Sequence, residues 1–98
     1  MALNKKVTLQ NGISYNYHRI SQLKLDVDED SNGNTIRTLH LEVFGYVSNK
    51  YRESGVDNYV ACKDYAFRID EVDAESNLRS VGYNLLKLMN EFEGATDC

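Results

Sequence analysis

Proline and tryptophan are absent from this 98-residue chain, and cysteine is scarce, with only Cys62 and Cys98. Two cysteines are too few for a disulfide framework and point to a reducing compartment. No apolar run approaches the ~20 residues a membrane-crossing helix requires, and the N-terminal stretch lacks the apolar segment of a signal peptide. Basic charge is in short supply as well. Eleven bases against 15 acids give a net charge of −4, which argues against a phosphate-binding surface. Neither a G-x-S-x-G nucleophile motif nor a glycine-rich phosphate loop occurs. The expectation from these absences is a soluble, intracellular, non-enzymatic protein with no cofactor.

What is present suits one domain over residues 1–98. Hydrophobic residues make up 42% of the chain, ten residues are aromatic (seven Tyr, three Phe), and 27% are charged. A chain of this size buries only roughly two-thirds of its unfolded surface, so one core must use most of the apolar residues. Residues 3–70 read as β-rich. Asn11-Gly12 lies between two β-rich runs, where both turn residues must accept positive φ, and is a strong hairpin signal. The apolar phase then changes between Ile20 and Leu23, which predicts a bulge or bend near His18 to Ser21. Residues 26–35 are the most polar stretch, with Asn32-Gly33 supplying a second hairpin turn. The next strand, about Thr35 to Ser48, is apolar on both faces: Leu39, Leu41, Val43 and Val47 on one, Ile36, Phe44 and Tyr46 on the other. Asn49 to Asp57 reads as an exposed loop, and a last strand follows from about Asn58 to Asp70.

Leu78, Val81, Leu85, Leu88, Met89 and Phe92 follow helical spacing and predict a helix over about 74–93, with Asp73 as N-cap and Gly94 as the terminating glycine. The fold class expected is therefore α+β: an antiparallel sheet of four main hairpin-connected strands with one C-terminal helix packed on it. Whether the sheet stays single or folds into a small sandwich is left open by the periodicity. One helix covers one face, so the second apolar face calls for the sheet itself or another protomer to cover it.

Few constellations carry chemistry. Asp28, Asp30, Asn32 and Gly33 fit the first half of a calcium loop, but the twelfth position, where a bidentate Glu belongs, is Leu39. A solvated hairpin tip is the better reading. His18, His40 and Cys62 lack the paired spacing of a zinc site. Asp64 and Asp70 could be imagined as paired carboxylates, yet their surroundings look exposed. Tyr15, Tyr17 and Arg19, and likewise Tyr65, Phe67 and Arg68, offer small aromatic–basic patches. Residues 50–98 nevertheless hold ten acids against six bases, and tyrosines in strands more often cover a core edge or a protein interface.

Two terminal segments add a resemblance. Met1-Ala-Leu-Asn-Lys-Lys-Val-Thr-Leu-Gln-Asn-Gly-Ile13, followed by Tyr15-Asn-Tyr-His-Arg-Ile20, resembles the start of small proteins encoded in the tail modules of phages and prophages of Gram-positive bacteria. Gly82-Tyr-Asn-Leu-Leu-Lys-Leu-Met-Asn-Glu-Phe-Glu-Gly-Ala95 resembles their closing helix. Together the segments cover about a third of the chain, and the middle is unmatched. The resemblance implies a tail- or baseplate-associated virion protein, assembled in the host cytoplasm, with no catalytic residues to carry over. Its expected partners are other tail or baseplate proteins and further copies of itself, with neither nucleic acid nor membrane. The candidate interface residues are Tyr15, Tyr17, Phe44, Tyr46, Tyr59 and Tyr65. A rival reading is a small acidic phage-encoded inhibitor of a host protein, its 26–30 acidic segment mimicking a phosphate backbone.

Overall fold

The Asn11-Gly12 turn reverses the chain as its residue types require. Gly12 adopts φ +87°, and the Leu9 N–H donates to the Ile13 carbonyl at 2.8 Å. The structure, a computed structural model, describes residues 2–55 and 57–98. Met1, which opens the resembling segment, and Val56, within the expected 49–57 loop, lie outside the described residues. Strands β1 (Leu3–Thr8) and β2 (Ser14–Glu29) flank this turn. β2 then returns through Asp30–Asn34 into β3 (Thr35–Tyr46), and β4 (Ala61–Ile69) pairs with β3. A two-residue strand, β5 (Thr96–Asp97), closes the far side against Leu3 and Asn4. The order β4-β3-β2-β1-β5, with every pairing antiparallel, makes one five-stranded sheet rather than a sandwich.

The helical layer covers one face of this sheet. Leu3, Ile20, Leu39, Leu41 and Val43 from the strands pack with Tyr83, Leu86 and Phe92, all nearly or fully buried. The expected continuous helix over 74–93 is instead three pieces: α2 (Glu71–Ala74), α3 (Leu78–Lys87) and a 3-10 turn (Asn90–Phe92), with α1 (Asn49–Ser54) lying earlier in the chain. The interruption has a local cause. Asn77 Oδ1 accepts from the N–H groups of Arg79 and Ser80, which starts a new helix where an unbroken one would need Asn77 inside it. The N-caps are thus Asp70 and Asn77, not Asp73. Leu88 keeps helical backbone angles but lies two residues, about 200°, round from the buried Leu86, so it faces outward and is 82% exposed, while Tyr83 and Leu86 take the central positions. Gly82 lets α3 approach closely: a Cβ there would sit 3.0 Å from both Ile20 Cδ1 and Leu41 Cδ2. Gly94, at φ +80°, ends the 3-10 turn as expected and aims the chain into β5.

The bulge falls at Ser21, inside the expected interval, where the β2–β3 register shifts between Ile20 and Gln22. A bulge disrupts the ladder locally, and α3 meets the backbone there. The Ile20 N–H donates to the Tyr83 hydroxyl at 2.9 Å, and Arg79 Nη1 donates to the Ile20 carbonyl at 2.6 Å. Ser21 Oγ donates to Glu42 Oε1 at 2.7 Å and to the Glu42 carbonyl at 3.1 Å. Sequence phase, bulge and helix docking are therefore one arrangement. The segment expected as an exposed loop over 49–57 contains a short helix, α1, with no fully buried residue. Beyond the helical layer the β2–β3 hairpin projects, and almost every residue from Val27 to Thr35 is exposed.

Candidate functional site

Directly opposed residues of neighbouring strands share a face of the sheet, so the register assigns the strand candidates to a side. On the face away from α3, Tyr17 lies opposite Tyr46, and Arg19 opposite Phe44. Tyr17 and Tyr46 meet edge-to-face at 6.1 Å between centroids, and Phe44 and Tyr46 do so at 6.5 Å. Phe44 stacks on Tyr59 at 4.0 Å. Four of the six candidate interface residues thus form one aromatic corner. Within it Tyr46 is fully buried, Tyr17 and Phe44 are half-buried, and Tyr59 is 40% exposed. Burial pushes the Tyr46 hydroxyl above its ordinary pKa. Beside this corner stand the exposed Tyr51 of α1 and Val60, whose N–H donates to the Gly45 carbonyl at 2.8 Å.

The other two candidates lie on the covered face. Tyr15 is 3% exposed, and its ring presses on the backbone of Gly45, where an added Cβ would come within 2.4 Å of Tyr15 Cε2. Tyr65 stacks beside Phe67 at 6.3 Å and meets Phe92 at 6.1 Å. Burial, then the neighbouring Glu91, pushes its hydroxyl far above the ordinary tyrosine pKa. Neither aromatic–basic patch assembles. Tyr15 is separated from Tyr17 and Arg19 by the sheet, as Tyr65 and Phe67 are from Arg68.

The metal-ligating types are likewise dispersed. His18 is buried beneath Phe92 and Tyr15, with ring centroids 5.1 and 5.2 Å away, whereas His40 and Cys62 are exposed on the opposite face. In the hairpin loop the Asp30 carboxylate already braces the turn. It accepts from the N–H groups of Asn32 and Asn34 at 2.8 and 2.9 Å, and these bonds lower its pKa. Leu39, at the position a calcium loop gives to its bidentate Glu, is fully buried in the core.

A cluster that linear spacing conceals lies across β3 and β4. Glu42, Cys62 and Asp64 bring one ligand atom each to within 4.8 Å of one another, because Glu42 is opposite Asp64 and Cys62 is two residues back on the same strand face. Partial burial, and then the Glu42 and Asp64 carboxylates, raise the pKa of the Cys62 thiol. Only the strand register brings Glu42 to the other two; the sequence holds it 20 residues from Cys62 and 22 from Asp64. Comparison with protein-family models, curated proteins and solved structures finds no match for this chain.

Proposed function

We propose that this chain is a non-enzymatic bacteriophage virion component that assembles with tail or baseplate proteins. The observation that carries the reading is the aromatic corner of Tyr17, Phe44, Tyr46 and Tyr59 on the sheet face that α3 leaves uncovered. Aromatic side chains with one polar tip suit protein interfaces, where they contribute large contact area at small entropic cost. The two terminal segments that resemble tail-module proteins supply β1 with the start of β2, and the C-terminal part of α3 with its following turn. They build the frame of the fold and leave the middle, which supplies β3 and the projecting hairpin, as the part specific to this chain. The test is mass spectrometry of gradient-purified particles, with copy number measured against the major tail protein. A fixed copy number per particle supports the reading, and recovery only from the infected-cell lysate overturns it.

A second reading keeps one specific observation. The β2–β3 hairpin projects with Asp28 and Glu29 exposed, which suits an inhibitor that docks on a basic host protein. Such binding would weaken steeply with added salt.

A further inference from the structure

Strand β4 is an open edge. It ends the sheet order, runs for nine residues without proline, and pairs with β3 in one unbroken register from Arg37↔Ile69 to Gly45↔Ala61. Sheet edges of this length are usually blunted by a bulge, a proline or shortening, because their free N–H and C=O groups accept another strand. We propose that the occupant of this edge is a second copy of the chain, joined antiparallel through β4 about a two-fold axis through Ala66, to give one continuous ten-stranded sheet.

The register follows from side-chain chemistry. An axis perpendicular to the sheet keeps each residue on its own face, so it must pass through a residue rather than between two. Centring on Lys63, Asp64 or Arg68 sets a like-charged pair on the axis, which is destabilising. Centring on Phe67 sets Asp64 opposite Asp70 of the partner subunit. Centring on Tyr65 places Asp64 opposite an alanine and Arg68 opposite Cys62 of the partner subunit, so neither charge is matched. Centring on Ala66 alone sets Asp64 opposite Arg68 of the partner subunit, twice by symmetry. It also sets Tyr65 opposite Phe67 of the partner subunit, which makes a four-ring stripe on the helical face.

Two features of the single chain fit this register. Asp64 is exposed and directly opposite Glu42, a like-charged cross-strand pair that a cation on its free side would offset. Arg68 is exposed on the same sheet face, and among the described residues neither Asp64 nor Arg68 makes a salt bridge. The joint places both helical layers on one side and both aromatic corners on the other. It requires only the edge, and so stands whether or not the protein belongs to a virion.

The experiment is sedimentation equilibrium of the full chain, with charge-exchange variants. Asp64→Arg and Arg68→Asp should each weaken self-association about tenfold, since each sets like charges opposite one another twice, and the double exchange should restore it. In a Cys62→Ser, Cys98→Ser background, Ala66→Cys should form an intermolecular disulfide under mild oxidation, whereas Asp64→Cys should not. A chain that stays monomeric at high micromolar concentration overturns the proposal. So does a double exchange that fails to restore association, or cross-linking that favours position 64 over 66.

Discussion

The two faces of this sheet are made by the same strands, yet they are different materials. On the covered face Leu39, Leu41 and Val43 of β3 interlock with Tyr83, Leu86 and Phe92 and are almost wholly removed from water. On the other face the intervening residues run from half-buried Ile36 through exposed His40 to the aromatic corner at Phe44 and Tyr46. A strand apolar on both sides reads as central and covered on both sides. Here the second apolar side is concentrated at one end, where the rings cover one another. The lesson is that apolar content on a strand face measures local clustering as well as burial under a second layer.

Truncation should separate the faces most strongly. Leu41→Ala removes a core side chain that touches α3 and should cost roughly 2–5 kcal/mol, including the cavity it leaves. Phe44→Ala, on the aromatic corner, should cost about 1–2 kcal/mol, because its ring is only half-buried and stacks on the partly exposed Tyr59. Urea denaturation with unchanged slope measures both. Equal costs would mean that the aromatic corner is as much a core as the covered face, and would weaken its assignment as an interface.

The next largest effect should come from the bulge. Tyr83→Phe keeps the ring but removes the acceptor that the buried Ile20 N–H now reaches at 2.9 Å. Stranding that donor should cost about 1–3 kcal/mol, well beyond the loss of an exposed hydroxyl. If the variant is as stable as the parent by urea denaturation, the bulge is not pinned by α3, and the covered face owes its register to apolar packing alone.

How much of this was legible beforehand depends on the range of each interaction. Asn11-Gly12, the bulge interval and the strand that begins at Thr35 are set by turn chemistry and side-chain period, which act within a few residues, and they were readable. The break at Asn77 was also local, but the apolar spacing through Leu88 masked it, since period alone does not register a side chain capping its own downstream N–H groups. β5 was missed because two residues, Thr96 and Asp97, have no period to detect; their pairing with Leu3 and Asn4 is purely tertiary. Among the candidate interface residues, Tyr15 and Tyr17 share a period-two phase, yet the structure sends them to opposite faces. The register of β1 on β2 shifts between Asn4 and Val7, and that irregularity leaves no mark in the alternation. The Glu42–Cys62–Asp64 cluster and the pairing chemistry of β4 needed the cross-strand register, which no single segment contains.

The smallest expected effect concerns the one histidine that the covered face encloses. His18 is 3% exposed, and its Nε2 lies 2.7 Å from the Lys5 carbonyl. A carbonyl only accepts, so Nε2 carries the proton and donates. Burial lowers the His18 pKa from its ordinary 6.5. The Lys5 hydrogen bond and Glu91 oppose that shift, and Lys63 adds to it. The folded chain thus holds a neutral imidazole at a pH where the unfolded chain has begun to take up a proton. Stability is therefore complete above the unfolded value of 6.5 and declines as the pH falls below it, until the folded chain also protonates. One group can contribute a slope of at most one proton, about 1.4 kcal/mol per pH unit. Urea denaturation between pH 7.5 and about 5.5, above most carboxylate titration, should show this decline in the parent and a flatter line in His18→Gln. Parallel lines for the two proteins would mean that the imidazole is as well hydrated as if it stood on the open face, and that the covered face is not sealed at its Tyr15 end.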